Sequence, residues 1–203
     1  MKEKIDTPYS LAPREKQIIK DNFVTHTDWK KEIFNDIKNN ILKHLRTQQD
    51  NECCYCKRQL GYDIKDVDIE HIIPKSNFPK FTFNTKNLAL SCPGCNTKKS
   101  TTCVLKRQHI TNYPRNGTNI KIIHAHYDEY RTHIEILDDC IYIAKSKKGS
   151  ETITICELFR LKTVEENARR FITGKSIISQ LTEDLRTSKP NERQELLDLL
   201  RGD

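Results

Sequence analysis

Two C-x-x-C turns restrict what this chain can fold into more than any other feature. Cys53-Cys54-Tyr55-Cys56 is the first and Cys92-Pro93-Gly94-Cys95 the second, with 35 residues between Cys56 and Cys92. Two residues between thiols let both sulfurs of a tight turn bind one metal, and two such turns complete a tetrahedral site with Zn–S near ~2.3 Å. Cys53, Cys56, Cys92 and Cys95 are therefore read as ligands of a structural Zn²⁺. Four thiolates leave no open coordination position, so any chemistry must come from elsewhere. The alternatives are a thioredoxin-like redox pair or buried reduced thiols, and a redox pair does not account for two such turns. Cys54 is expected to point away from the metal. Cys103, Cys140 and Cys156 have no paired spacing and read as ordinary buried thiols. The long gap means that an inserted element lies between the two knuckles.

At 203 residues and 23.8 kDa the chain suffices for one domain, or for one core with helical additions. Hydrophobic residues are 35%, charged residues 31% and mean hydropathy is −0.74, the polar side of ordinary globular. Apolar residues recur along the whole length, which argues against wholesale disorder. No apolar run approaches the ~18 residues that span a bilayer. The opening MKEKIDTPYS lacks the apolar stretch of a signal peptide. A cytoplasmic protein is expected, and in a reducing compartment paired cysteines favour metal ligation over disulfides. The net charge of +7 permits a polyanionic partner without requiring one.

Three regions follow: residues 1–50 helical, 51–102 carrying the cysteines, and 103–203 mixed, then helical. In the first, a helix is expected from Thr27 or Asp28, with Trp29, Ile33, Ile37, Ile41 and Leu45 as one apolar stripe. Lys30, Lys31, Lys38, Lys43 and Arg46 share its other faces and read as a solvated face rather than a phosphate-facing surface. Asp68 to Ile73 alternates like a strand ending at Pro74. Asn87 to Ser91 reads as a second strand, 92–96 as a turn and 96–101 as the opening of a helix. Short strands are expected at Ile120–Ile123, His133–Leu137, Cys140–Ile143 and Thr152–Cys156. A helical pattern runs from Thr163 through Val164, Ala168, Phe171, Ile172, Ile178, Leu181 and Leu185. Beyond Pro190 a last amphipathic helix carries Leu196, Leu197, Leu199 and Leu200, and Arg201-Gly202-Asp203 forms a tail.

The inserted element reads Asp68-Ile69-Glu70-His71-Ile72-Ile73-Pro74-Lys75-Ser76, then Asn87-Leu88. The second knuckle continues as Cys95-Asn96-Thr97-Lys98-Lys99-Ser100. In this order the residues resemble the HNH endonuclease family. That pattern has an acid-His pair at a strand end, Asn-Leu after a loop, then C-x-x-C-Asn-x-x-Lys at the start of a helix. Glu70-His71, Asn87 and Asn96 fill those places, and Tyr55 matches the aromatic inside the upstream C-x-x-C of zinc-bearing members. The resemblance covers residues 51 to 101. It implies an α+β fold: a ββα-metal core stapled by the four-cysteine zinc site, with a helical N-terminal region and a mixed C-terminal extension packed on the core.

The same resemblance implies a metal-dependent endonuclease hydrolysing phosphodiester bonds in DNA. His71 would be the general base, and Glu70 and Asn96 the ligands of a catalytic Mg²⁺ or Mn²⁺. Asn87 would orient the histidine through its loop. Elementary chemistry agrees, since a neutral imidazole is a competent base near neutral pH and hard oxygens suit Mg²⁺ or Mn²⁺. Lys75, Lys98 and Lys99 flank the site and read as phosphate contacts or as solvated charges. Glu stands here for the commoner Asp, which moves the carboxylate by about a bond length. Asn rather than His at the last position favours a hard metal.

The overall layout also resembles the HNH proteins of anti-phage systems of the Septu type, in which the nuclease works beside an ATPase. His124, His126 and His133 form a His-rich cluster, read as hydrogen-bonded structural histidines rather than a second metal site. Asn116-Gly117-Thr118 is a glycosylation sequon without consequence in the cytoplasm. The competing reading of the whole is a non-catalytic, zinc-stabilised module that binds nucleic acid or protein.

Overall fold

Leu88-Ala89-Leu90-Ser91 carries no charge, and a short segment of this kind is stable as a strand when both its faces are covered. In the computed structural model, which describes residues 2–169, it forms β2 (Leu88–Ser91), buried at every position. Its antiparallel partner is β1 (Asp68–His71), in register from Asp68↔Ser91 to His71↔Leu88. Helix α3 (Pro93–Lys99) follows at once and completes a ββα unit. The sequence pattern places this helix only from Asn96, after a turn. It starts three residues earlier because Pro93 suits the first helical position and Cys92 caps it, its Sγ accepting the Cys95 N–H at 3.4 Å.

The N-terminal region is helical in shorter pieces than the pattern suggests. Asp28 does not open a long helix. Its carboxylate accepts the Val24 and Thr25 N–H groups at 2.8 and 2.9 Å and closes a 3₁₀ turn, His26–Lys30. Extended backbone at Lys31 then interrupts the chain, and a second 3₁₀ turn, Glu32–Phe34, leads into α2 (Asn35–Gln48). Ile37, Ile41 and Leu45 keep the expected stripe and are buried, but Ile33 is 52% exposed and Trp29 leaves the stripe altogether. Asp50 and Asn51, at φ 51° and 56°, take the left-handed conformation that ends α2. The Gln49 side chain then pairs with the free edge of β2, donating to Leu90 O at 3.0 Å and accepting the Leu90 N–H at 2.7 Å. A further helix, α1 (Pro13–Asn22), has Glu15 folded back on the Ala12 N–H at 2.8 Å.

The extension contains an antiparallel hairpin, β3 (Ile134–Leu137) and β4 (Ile141–Ala144). It turns at Asp138 and Asp139, both at positive φ, which these short polar side chains tolerate. The other two strands expected here do not form. Ile120 makes only an isolated bridge to Leu105, and Ile122 and Ile123 are buried without a strand partner. Thr152–Cys156 belongs to α4 (Lys147–Ile155) and its C-cap. There Ser146 caps the helix by accepting the Gly149 N–H at 3.1 Å, and Thr152 returns its hydroxyl to Lys148 O at 2.8 Å.

The N-terminal helices, the ββα unit and the extension up to Phe159 form one compact unit, and Arg160–Asp203 forms another. In the second, residues 160–169 are helical. Phe171, Ile172, Ile178, Leu181, Leu185, Pro190, the Leu196–Leu200 helix and the terminal tail lie outside the described residues. Among the described residues no helix is long and apolar enough to cross a membrane.

Candidate active site and zinc centre

The four thiols of Cys53, Cys56, Cys92 and Cys95 lie within 4.8 Å of one another, and Cys56 and Cys92 are 3.9 Å apart. Tetrahedral Zn–S bonds of ~2.3 Å require S···S spacings of about 3.8 Å. The cluster therefore fits Zn²⁺, and Cys54 stays outside it, as expected. Cys140 and Cys156 are buried, whereas Cys103 is only partly so. Neighbours hold the first knuckle by its backbone: Cys54 N–H donates to Leu90 O at 2.9 Å, and Tyr130 and Tyr142 donate to Tyr55 O and Cys56 O at 2.7 Å each.

Beside the zinc centre a cleft of about 150 Å³ is lined by Glu70, His71, Lys75 and Asn96, together with His26 and Ser100. His71 ends β1, and its Nε2 stands 3.1 Å from Thr82 O. A carbonyl only accepts, so Nε2 carries the proton and Nδ1 keeps the free lone pair. Trp29 sets its ring edge-on to the imidazole, centroids 4.7 Å apart. Burial, together with the positive charges of Lys75 and Lys99, holds the His71 pKa well below the usual histidine range, against the opposing bond to Thr82 O. The ring is neutral at pH 7.

Glu70 projects from the same face of β1 as Asp68. Its Oε1 accepts the Tyr55 hydroxyl at 3.0 Å and pairs with Lys99 at 2.6 Å, both residues being almost fully buried. Burial raises the Glu70 pKa, while Lys99 and Tyr55 work against that rise. Both contacts use Oε1, which leaves Oε2 for a cation. Asn96 donates Nδ2 to Asp68 Oδ2 at 2.9 Å, which leaves its Oδ1 as a second hard donor. This donor set fits a hard divalent cation such as Mg²⁺ or Mn²⁺.

The three lysines part company. Lys75 lines the cleft. Lys98 is ion-paired with Glu157 at 2.7 Å. Lys99, expected to meet phosphate, is 1% exposed and lies beneath the site, donating also to His71 O at 3.0 Å. The expectation fails because a helix of seven residues, turning every 3.6, brings Lys99 back over β1.

Asn87 is fully buried and grips the loop after His71: it accepts the Ile73 N–H at 2.7 Å and donates to Ile73 O and Phe81 O at 3.0 and 3.2 Å. Phe81 precedes Thr82, the acceptor of His71. The extension reaches the same residue. Tyr113 Oη lies 3.1 Å from Asn87 Oδ1 and 2.7 Å from His124 Nε2. His124 Nδ1 accepts the His126 N–H at 3.2 Å, and His126 Nε2 donates to Leu88 O at 2.9 Å. His133 Nδ1 bonds Ser146 at 2.7 Å. The His-rich cluster is thus hydrogen-bonded framework, and among the described residues the four cysteines are the one group of three or more His, Cys, Asp or Glu side chains close enough to share a metal ion.

Sequence reasoning passes over Trp29, Asp68, Thr82 and Tyr113. Asp68 carries a usable signal, two residues before Glu70 on an alternating strand. Trp29 is hidden by its fit to a helical stripe, and Thr82 acts through its backbone, which leaves no sequence signature.

Residues 53–102 match the family described as HNH endonuclease. The chain is 29% identical over 117 residues to the Septu protein PtuB of Bacillus thuringiensis, covering 58% of this chain and 40% of that protein. It is 31% identical over 106 residues to the "Retron Vc95 putative HNH endonuclease" of Vibrio cholerae serotype O1 biovar El Tor, covering 51% of this chain and 49% of that protein. The chain spans about half or less of the length of these relatives.

Proposed function

We propose that this chain is a metal-dependent endonuclease that hydrolyses phosphodiester bonds in DNA, and that it serves as the effector nuclease of an anti-phage defence system. The observation that carries the reading is the convergence of Glu70, His71, Lys75 and Asn96 on one cleft, with the imidazole tied to Thr82 O through Nε2. His71 Nδ1 takes the proton of the attacking water. The bond from Nε2 to Thr82 O keeps the ring aimed and stabilises the imidazolium as it forms. Glu70 and Asn96 would hold Mg²⁺ or Mn²⁺, which when bound supplies positive charge to the phosphate and the leaving oxygen. Lys75 adds positive charge at the cleft wall. The zinc holds the two knuckles that carry Tyr55 and α3, and so sets Glu70 and Asn96 side by side.

The likeness to the Septu and retron proteins supports the defence role. The resemblance to Septu-type systems adds an ATPase partner that gates cleavage, expected to co-purify with the chain. The decisive assay is plasmid cleavage by wild type and His71→Ala, each beside the co-purified partner, with Mg²⁺, Mn²⁺ or EDTA. Wild-type cleavage should disappear with EDTA, return on excess Mg²⁺ or Mn²⁺ without added zinc, and fall at least ~100-fold in the variant, whose zinc content should be unchanged. Salt-sensitive DNA binding by the zinc-loaded protein, with no cleavage even beside its partner, would leave the non-catalytic module as the better reading.

A further inference from the structure

Segment 103–121 folds into a groove of about 660 Å³ lined by Lys106, Arg107, His109 and Arg115, with Ile110 and Pro114 as apolar surface and not one carboxylate. Its walls are built rather than draped. Asn119 accepts the Arg107 N–H at 2.9 Å and donates to Arg107 O at 3.0 Å, and Lys106 N–H donates to Asn119 O at 2.9 Å. Lys106 spends its ammonium on Thr118 O at 2.6 Å. Among the described residues none of Lys106, Arg107 and Arg115 meets an acidic side chain, in a protein where Lys4, Lys31, Lys98, Lys99, Arg131 and Lys148 all do. Exposed cations converging without counter-charge leave a positive potential for a polyanion to fill.

The groove adjoins the catalytic cleft along two stretches of chain. Ser76 lines the cleft, and Lys80, four residues on, donates to Ile110 O in the groove at 3.0 Å. Thr101 lines the cleft and accepts Asn77 Nδ2 at 3.3 Å, and Lys106 lies five residues beyond it in the groove. Five extended residues reach at most about 18 Å, which is about five base pairs at ~3.4 Å per step. The groove therefore begins within about half a duplex turn of the cleft.

From this we infer that the 106–119 groove is a second DNA contact, which tracks the phosphate backbone on one side of the scissile bond. The inference rests on the DNA-nuclease reading and adds to it where the substrate lies. Its residues fall outside the stretch that matches the nuclease family. The contact would be independent of sequence, since exposed Arg and Lys on phosphate position a duplex without reading it.

The test is the salt dependence of binding to a short DNA duplex, followed by fluorescence anisotropy without added divalent metal. Arg107→Gln and Arg115→Gln should each reduce the slope of log K against log[salt] by about 0.9. Both should raise the KM of cleavage and leave kcat and zinc content unchanged. Lys145→Gln, beside the zinc knuckles in a separate groove, removes the same charge and should leave the slope unaltered. Equal slopes in wild type and both arginine variants would overturn the groove proposal while leaving the nuclease reading intact. Zinc-loaded wild type that neither binds nor cuts DNA would overturn both.

Discussion

His126 is buried as a neutral ring with a single hydrogen bond, from Nε2 to Leu88 O. Its Nδ1 has no partner among the described residues, so a second proton would meet no acceptor. Burial, with the nearby charges of Lys86 and His44, pushes the pKa down to about 4, against the bond to Leu88 O. An unfolded histidine takes its proton near ~6.5. Between these values the unfolded chain binds more protons than the folded one, so stability falls as pH drops from about 6.5 to 4. At pH 5 the loss from this residue is about 2 kcal/mol. Urea unfolding at pH 7 and pH 5, with zinc content checked at both, should show a smaller acid penalty in His126→Gln than in wild type. An equal penalty in the two would sink the assignment. His71 shows the other side of residue-scale legibility. Its identity as a candidate base is readable from its neighbours in sequence, whereas its tautomer follows from Thr82 O, a backbone atom that no side-chain pattern announces.

At the scale of elements, the Glu70–Lys99 ion pair joins β1 to α3 below the cleft. Lys99→Met should cost about 3–5 kcal/mol, because it leaves the Glu70 carboxylate buried without its counter-charge. Adding Glu70→Gln should restore much of that stability but not cleavage. Denaturant midpoints of the two variants separate the effects, and a fully stable Lys99→Met would contradict the pairing. Element boundaries are legible where local chemistry and packing agree. The strand expected over Asp68 to Ile73 forms over Asp68–His71, and the one expected from Asn87 to Ser91 forms over Leu88–Ser91, with Asn87 closing the turn before it. The Thr152–Cys156 run misleads because its β-branched residues favour a strand only weakly. The Ser146 cap and the burial of Thr152 against Ile123 N–H, at 2.8 Å, outweigh that preference. The long helix expected from Asp28 gives way for a similar reason: the Asp28 carboxylate satisfies local N–H groups in a tight turn instead.

For the whole molecule the four-cysteine cluster is the organising contact, since it joins residues on either side of the inserted β1 and loop. Metal affinity at such a site is folding free energy. Chelation, or Cys92→Ser, should therefore abolish cleavage together with the tertiary circular dichroism signal, and zinc readdition should restore both only in wild type. A chelated protein that keeps its tertiary signal would show the metal to be dispensable for the fold. Residue order alone was enough to single out the four cysteines that converge and the ordered set Glu70, His71, Asn87 and Asn96. Ligand spacing within a turn, and the succession strand, loop, strand, helix, are local geometry, and local geometry is written in neighbouring residues. It took the folded chain to show that Trp29 covers His71, that Lys99 lies under the site instead of on its surface, that Tyr113 and His124 brace Asn87, and that a basic groove adjoins the cleft. Each of these joins segments distant in the chain, and the burial that selects such a contact belongs to the folded whole and to no single stretch of sequence.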